Sequence, residues 1–131
     1  MRPHPSPTDR LRSICLRFPE ATEKPFGGHT APSFRVRDKL FLTRSEDGGH
    51  LMCKALPGVQ EILVASDPDR FFVPPYLGAK GWIGIRVDAG LDWDELGELA
   101  EESYRLIAPK RLVAQLDGQA RPRAVDGGSV L

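Results

Sequence analysis

The sequence predicts a two-layer α+β domain in which a five-stranded antiparallel sheet carries helices mainly on one face. Three observations support this fold class. Short segments alternate apolar and polar residues, as strands with one buried face do. Turn residues separate several of these segments, which favours antiparallel neighbours. The elements follow the order helix, three strands, helix, two strands, helix, and three helices are too few to cover both faces of the sheet.

The first helix is predicted near the start of the chain. Leu11, Ile14 and Cys15 recur at the spacing of one helical face, and Thr8 is a suitable N-cap residue. Residues 20–32 are rich in Gly and Pro and therefore predict a loop. This loop leads into the first strand of the sheet.

Three strands are predicted between residues 33 and 54. In the first strand Phe34 and Val36 alternate with Arg35 and Arg37, so the arginines face away from the core. Tight turns follow at residues 37–39 and 46–49. The third strand turns three side chains outward: His50, Met52 and Lys54.

A second helix and a fourth strand are predicted next. Pro57 suits the first turn of a helix, and the apolar stripe of this helix consists of Val59, Ile62 and Leu63. A short strand at residues 71–73 then runs into Pro74 and Pro75, which cannot continue a sheet ladder.

The fifth strand raises the question of why a tryptophan begins it. Ile83, Ile85 and Val87 alternate with Trp82, Gly84 and Arg86, so we expect the aliphatic set to be buried and Trp82 and Arg86 to face outward. The last helix begins at Asp92 as the N-cap with Glu95 as its reciprocal partner, and Pro109 kinks or restarts it.

Length and composition bound the class of protein. A chain of 131 residues with 18 basic and 18 acidic residues fits one globular domain, which we place at residues 8–117 with flexible tails at 1–7 and 118–131. Residues 88–102 contain seven carboxylates and no Lys or Arg, so the neutral total conceals an uneven distribution. No apolar run is long enough to span a membrane and no secretory signal is evident, so we expect a cytoplasmic protein with no membrane contact.

The sequence contains no recognisable catalytic or metal motif. Histidines at 4, 29 and 50 and cysteines at 15 and 53 do not occur at the spacings of metal ligands, so we expect no metal and no cofactor. No serine has a nucleophile-elbow context, and residues 78–81 lack the full phosphate-loop pattern. We therefore expect the protein not to be an enzyme.

Several short motifs together carry a resemblance to a known family. They are, in order, Phe18-Pro19, Pro25-Phe26-Gly27, Phe34-x-Val36-x-x-Lys39-x-Phe41, Met52-Cys53-Lys54, Lys80-x-Trp82, Glu102-Ser103-Tyr104 and Lys110-Arg111-Leu112. With this order and spacing, residues 10–116 resemble the MmcQ/YjbR family of small bacterial proteins. The resemblance implies a compact α/β fold with an antiparallel sheet and a DNA-binding role of the "double wing" type. Gly81 departs from the polar residue expected between the lysine and the tryptophan, which disfavours polar chemistry there.

The candidate binding residues are Trp82 and the cations expected near it on the open side of the sheet: Arg35, Arg37, Lys80 and Arg86. An aromatic face can stack on a base while nearby cations contact phosphates. The alternative interpretation is that Trp82 is a packing residue covered by the C-terminal segment and that the arginines are simply solvated.

Two hypotheses about function follow, and the first is weak, salt-sensitive nucleic-acid binding. The second is a protein- or peptide-interaction module with a chaperone-like fold, in which Met52, Trp82 and residues 74–75 receive a peptide.

Overall fold

The structure, a computed structural model, describes residues 6–24, 32–87 and 91–128, with side chains described as far as residue 119. The helices are α1 (Pro7–Cys15), α2 (Val59–Ser66), α3 (Trp93–Ile107) and α4 (Lys110–Gly128). The strands are β1 (Ala21–Glu23), β2 (Ser33–Val36), β3 (Lys39–Arg44), β4 (His50–Lys54), β5 (Phe71–Phe72) and β6 (Trp82–Arg86), and a 3-10 helix spans Leu77–Lys80. The Pro25-Phe26-Gly27 motif and His29 lie outside the described residues.

The six strands form one antiparallel sheet in the order β1-β2-β3-β4-β6-β5. The α+β class is confirmed, but the prediction of five strands is wrong. The additional strand, β1, lies within the segment predicted as a loop and pairs with β2 along its whole length. Its sequence Ala-Thr-Glu has no apolar alternation, so the strand depends on pairing with β2 rather than on its own pattern.

Three helices cover one face of the sheet and bury the core against it. Leu11 and Cys15 of α1, Leu96 and Tyr104 of α3, and Leu112 of α4 meet the inward residues of the strands. As expected, Ile83 and Ile85 are buried and Arg86 is exposed, while Val87 is half-buried. The period-two register predicted for the last strand is therefore correct.

Helix α2 lies at the edge of this core and not within it. None of its residues is fully buried, although Val59 and Leu63 pack partly against the core. Ile62 was expected on the buried stripe, but 66% of it is exposed. An eight-residue helix beside a two-residue strand buries only a narrow strip, and Ile62 falls outside that strip.

The helix ends also differ from the sequence prediction. Ser6, and not Thr8, caps α1, because its hydroxyl accepts from the Asp9 N–H at 3.1 Å and Pro7 occupies the first turn. Asp92 caps α3 as predicted, by accepting from the N–H groups of residues 94 and 95. Glu95 does not return to the cap, since its carboxylate accepts from Arg70 at 2.7 Å.

Pro109 separates α3 from α4, so the last helical region consists of two helices. Ala108 is extended, as the residue before a proline tends to be, and α4 begins at Lys110. The backbone of α4 continues past residue 118, where the sequence predicted a flexible tail, and is helical to Gly128.

Two adjacent residues of α3 attach this helix to the sheet. The Ser103 hydroxyl donates to the Phe41 carbonyl at 2.6 Å and accepts from the Lys54 N–H at 2.9 Å. The Tyr104 ring packs against Phe18 and Phe41, and its hydroxyl donates to the carbonyl of Pro19 at 2.7 Å. The helix is therefore fixed to β3, to β4 and to the turn after α1. Among the described residues, no layer of α-helices covers the opposite face of the sheet.

Candidate functional site

The strand register defines the side of the sheet that the helices do not cover, which we call the open face. Directly paired residues of antiparallel strands point to the same side, so the pairings identify its members. Twelve paired residues belong to this side: Thr22, Ser33, Arg35, Leu40, Thr43, His50, Met52, Lys54, Phe72, Trp82, Gly84 and Arg86.

Charge is unevenly distributed between the two sides of the molecule. The open face contains three residues that carry a positive charge, Arg35, Lys54 and Arg86, and no Asp or Glu among its twelve positions. Five carboxylates belong instead to α3, in the helix layer on the other side: Asp94, Glu95, Glu98, Glu101 and Glu102. A neutral chain thus presents a basic sheet face opposite an acidic helix.

A groove of about 480 Å³ lies on the open face. Its lining residues come from β2, β3, β4, the turn after β3, and the loop before the 3-10 helix together with that helix's first residue: Ser33, Leu40, Thr43, Arg44, Ser45, Glu46, Met52, Pro75, Tyr76 and Leu77. Leu40 and Met52 are outward residues of neighbouring strands, and Glu46 is the one carboxylate in the lining. The groove is therefore mainly apolar, and the three cations of the open face belong to its surroundings rather than to its lining.

Tyr76 projects from the wall of this groove with 94% of its surface exposed. Its backbone has φ 65° and ψ −60°, and the Leu77 N–H donates to the Pro75 carbonyl at 2.6 Å, which together define a γ-turn of the rare, strained kind. A non-glycine residue in such a conformation costs about 1–3 kcal/mol and persists only where its surroundings hold it.

The neighbours of Tyr76 explain how that conformation is held. Pro74 and Pro75 restrict the chain on one side, and Pro74 is fully buried. On the other side, the Gln60 amide of α2 donates to the carbonyls of Gly78 at 2.9 Å and Trp82 at 2.6 Å. The loop is thereby fixed at both ends, so the backbone holds the tyrosine ring out at the groove wall.

Trp82 lies on the open-face side of β6, as its alternation predicted, but it is not exposed. Only 5% of its surface is accessible, and it does not belong to the core cluster beneath the helices. The period-two alternation correctly placed the Trp82 ring on the side away from the helices. The expectation that the ring is exposed is wrong, because residues outside the strand cover it. A base could stack on Trp82 only if that cover moved.

The exposed aromatic contact of β6 involves a different ring. The Arg86 guanidinium lies over Phe72 at 4.5 Å, and His50 meets the same ring edge-on at a centroid distance of 5.0 Å. Phe72 in turn lies over Gly84, where a Cβ atom would come within 2.3 Å of the ring. Gly84 is therefore required by this close approach, and the cation of Arg86 has a fixed position at the end of the open face.

The other predicted binding residues do not converge with Trp82. Arg37 lies in the β2–β3 turn with φ 51° and pairs with Glu20 through two contacts of 2.6 and 3.3 Å. That hydrogen bond lowers the pKa of Glu20 below its usual range. Arg35 is on the open face and donates to the Asp38 carbonyl at 3.0 Å, whereas Lys80 is exposed at the end of the 3-10 helix.

The two cysteines are buried free thiols. Burial raises the pKa of Cys53 to about 12 and also raises that of Cys15, so both thiols are protonated at neutral pH and are poor nucleophiles.

Within the described ranges no three His, Cys, Asp or Glu side chains are grouped as metal ligands would be. Among the helices that the structure describes, none is both long enough and apolar enough to cross a membrane.

The fold and the site together define a class of protein: a small α+β domain with helices on one face of an antiparallel sheet and a basic face on the other. The family model described as YjbR matches residues 16–106, and the chain belongs to this family. The resemblance that the sequence motifs carried is thus confirmed.

A solved structure supports the same assignment. The chain is similar to the crystal structure of Deinococcus radiodurans protein DR2400, whose family-model domain is DUF419, with a TM-score of 0.68 and 26% sequence identity. The similarity covers 76% of each chain. A comparison with curated proteins found no significant match.

Proposed function

We propose that this YjbR-family protein is a non-enzymatic, cytoplasmic nucleic-acid-binding protein and that the open face is its contact surface. The observation that carries the proposal is the charge of that face, where three of twelve positions are Arg or Lys and none is Asp or Glu. Phosphate neutralisation by such cations supplies most of the affinity in sequence-independent binding. The DNA-binding role implied by the family resemblance agrees with this surface.

The phosphate contacts are assigned to the three cations of the open face, Arg35, Lys54 and Arg86, and to a fourth outside it, Lys80, which is exposed at the end of the 3-10 helix. Arg35 on β2 and Arg86 on β6 are separated by three strand spacings across the sheet, which is at least about 14 Å, so they would contact different phosphates of one strand. Arg37, which was predicted in this set, contributes only if it leaves Glu20, because the two side chains already satisfy each other. Trp82 lies on the open-face side but is buried, so it is assigned no direct contact.

A second candidate function, binding of a protein or peptide, is favoured by the apolar lining of the groove. Met52 and Tyr76 are residue types that often form adaptable protein contacts, and the groove is of a size that accepts one large apolar side chain. The basic surroundings would select an acidic peptide. We rank this function second because it explains the groove but does not require three cations spread over the width of the sheet.

The experiment is a fluorescence anisotropy titration of labelled single- and double-stranded oligonucleotides at several salt concentrations. For four phosphate contacts, the logarithm of the association constant should fall against that of salt with a slope of roughly −3 to −4. Neutralising two of them in Lys54→Gln/Arg86→Gln should reduce the magnitude of this slope by about two.

The matched control is Arg17→Gln, which removes one positive charge from an exposed position in the helix layer. This control should leave affinity and slope nearly unchanged, since Arg17 lies on the other side of the molecule. If Arg17→Gln lowers the logarithm of the association constant by half as much as the double variant does, binding follows total charge and the open face is not the site. If the wild-type protein binds no oligonucleotide at low salt, the proposed function is wrong.

A further inference from the structure

The groove at Tyr76 has features that the charge of the open face does not explain. Non-specific contact with phosphates needs cations on a surface but no cavity. Here a mainly apolar groove of about 480 Å³ opens on the same face, with an aromatic ring held at its wall by a γ-turn. Leu40 and Met52 stand at outward strand positions, where a polar side chain would be the ordinary choice.

We propose that this groove takes one unstacked base of a single-stranded nucleic acid, with the base stacked on the ring of Tyr76. The inference rests on the proposed function and specifies its ligand as single-stranded. The occupant is indicated by charge complementarity, because the twelve strand positions of the open face around the groove include three Arg or Lys and no Asp or Glu. The lining itself contains one carboxylate, Glu46, and one guanidinium, Arg44, whose charges offset each other.

The shape and chemistry of the groove suit a base better than a phosphate. The groove lies within the range of about 300–1,000 Å³ typical of small-molecule pockets, so it has room for a base. Leu40, Met52 and Leu77 offer apolar contact to a π-face, which every base has, so the site should tolerate different sequences. The hydroxyls of Ser33 and Thr43 are hydrogen-bonded to each other at 2.9 Å and add no net charge.

A base pair within a duplex cannot use the same site. Both faces of each paired base are stacked on its neighbours, so a base must first be unpaired and unstacked before it can enter a groove. Single strands do not have this cost to the same degree. The groove therefore predicts a preference for single strands, whereas the cations alone predict contact with either form.

The conformation of Tyr76 prepares the aromatic ring for this contact. The ring has 94% of its surface exposed while its backbone is fixed between a buried Pro74 and a 3-10 helix whose Gly78 carbonyl accepts from Gln60. Because the backbone is already fixed, stacking of a ligand on the ring costs only the freedom of the two side-chain torsions and none of the backbone. Tyr76 is thus the binding residue of the groove.

The test compares anisotropy titrations of one labelled oligonucleotide, single-stranded and annealed to its complement, against wild-type protein and variants at position 76. Tyr76→Ala should weaken single-strand binding by about five- to 150-fold, which corresponds to the loss of one stacking partner, and should change duplex binding by less than twofold. Tyr76→Phe keeps the ring and should bind like wild type. Tyr76→Gly removes the ring but fits the positive φ, so it separates loss of the ring from a change of the turn, and it should behave like Tyr76→Ala.

The control is Ile62→Ala, which removes another exposed apolar side chain, on α2 outside the groove. It should leave single-strand binding unchanged, and circular dichroism should show every variant folded. If wild type binds both forms equally and Tyr76→Ala is silent, the groove inference is wrong while the proposed function stands. If wild type binds neither form, both are wrong, and Tyr76-dependent binding of an acidic peptide would then assign the groove to a protein partner.

Discussion

Replacing Ser103 by alanine should destabilise the protein far more than its small volume suggests. Ser103 is fully buried, and its hydroxyl both donates to the Phe41 carbonyl at 2.6 Å and accepts from the Lys54 N–H at 2.9 Å. The bulge in β3 leaves Phe41 without a partner in the β2 register, and the β3–β4 pairing ends at Leu42 and Cys53. The hydroxyl therefore bridges two strands at the point where their ladder stops.

The magnitude follows from what the substitution leaves behind. Ser103→Ala removes the partner of one backbone donor and one backbone acceptor, and an unsatisfied buried group costs about 1–3 kcal/mol. Water can reach Lys54, which is only half-buried, so we expect a total loss of about 2–4 kcal/mol. That loss is a large fraction of the 5–15 kcal/mol typical of a domain's stability.

The assay is urea denaturation followed by circular dichroism, with the midpoint and slope fitted separately. The midpoint should fall while the slope stays near the wild-type value, because the folded state is otherwise intact. Ser66→Ala is the matched control, since that hydroxyl is exposed and bonds only within its own helix, to the Leu63 carbonyl. It should change stability by less than about 0.5 kcal/mol. A Ser103→Ala loss as small as that of the control would refute the bridging role.

Two further predictions concern other buried positions. Gly84→Ala should lower stability by about 1–3 kcal/mol in a thermal melt, because its Cβ would meet the Phe72 ring at 2.3 Å. The control is Gly97→Ala in α3, whose Cβ meets nothing within 4 Å and which should raise stability. A gain in stability from both substitutions would show that Phe72 moves freely. The pKa of Cys53 is about 12 in the folded protein against 9.0 for an ordinary thiol, so the folded state favours the protonated thiol more than the unfolded state does. The contribution of this thiol to the free energy of unfolding is therefore fully present below about pH 9 and is lost as the pH rises through 12. Denaturation midpoints at alkaline pH should show this fall, which Cys53→Ala should reduce, and an unchanged pH profile in the variant would contradict it.

The sequence was most informative where one strand carried a strict two-residue alternation. The inward positions of Ile83 and Ile85 and the outward position of Arg86 followed from that period alone. The same rule turned Trp82 toward the correct side but failed on its exposure, since exposure depends on other segments that pack over that side. The missed strand β1 lacks alternation altogether, so only its partner reveals it.

The candidate site was only partly predictable for a similar reason. Arg35 and Arg86 could be placed on one face from strand period, but Arg37 left that face because the turn gave it a positive φ and brought it to Glu20. The groove joins strands to a loop more than twenty residues further along the chain, and local periodicity does not report such contacts. The usable signals were an apolar Met52 at an outward strand position and a tyrosine directly after two prolines.

The lengths of the outermost strands restrict how this protein can meet other chains. An unpaired strand edge offers a row of free N–H and C=O groups on which a foreign strand can add, and long edges promote fibrils and strand exchange. Here the two outermost strands have three and two residues, and Val73 and Pro74 follow the shorter one. A proline supplies no N–H for a growing ladder. Templated strand addition therefore has little to build on, and recognition by this domain must depend on side chains rather than on its backbone.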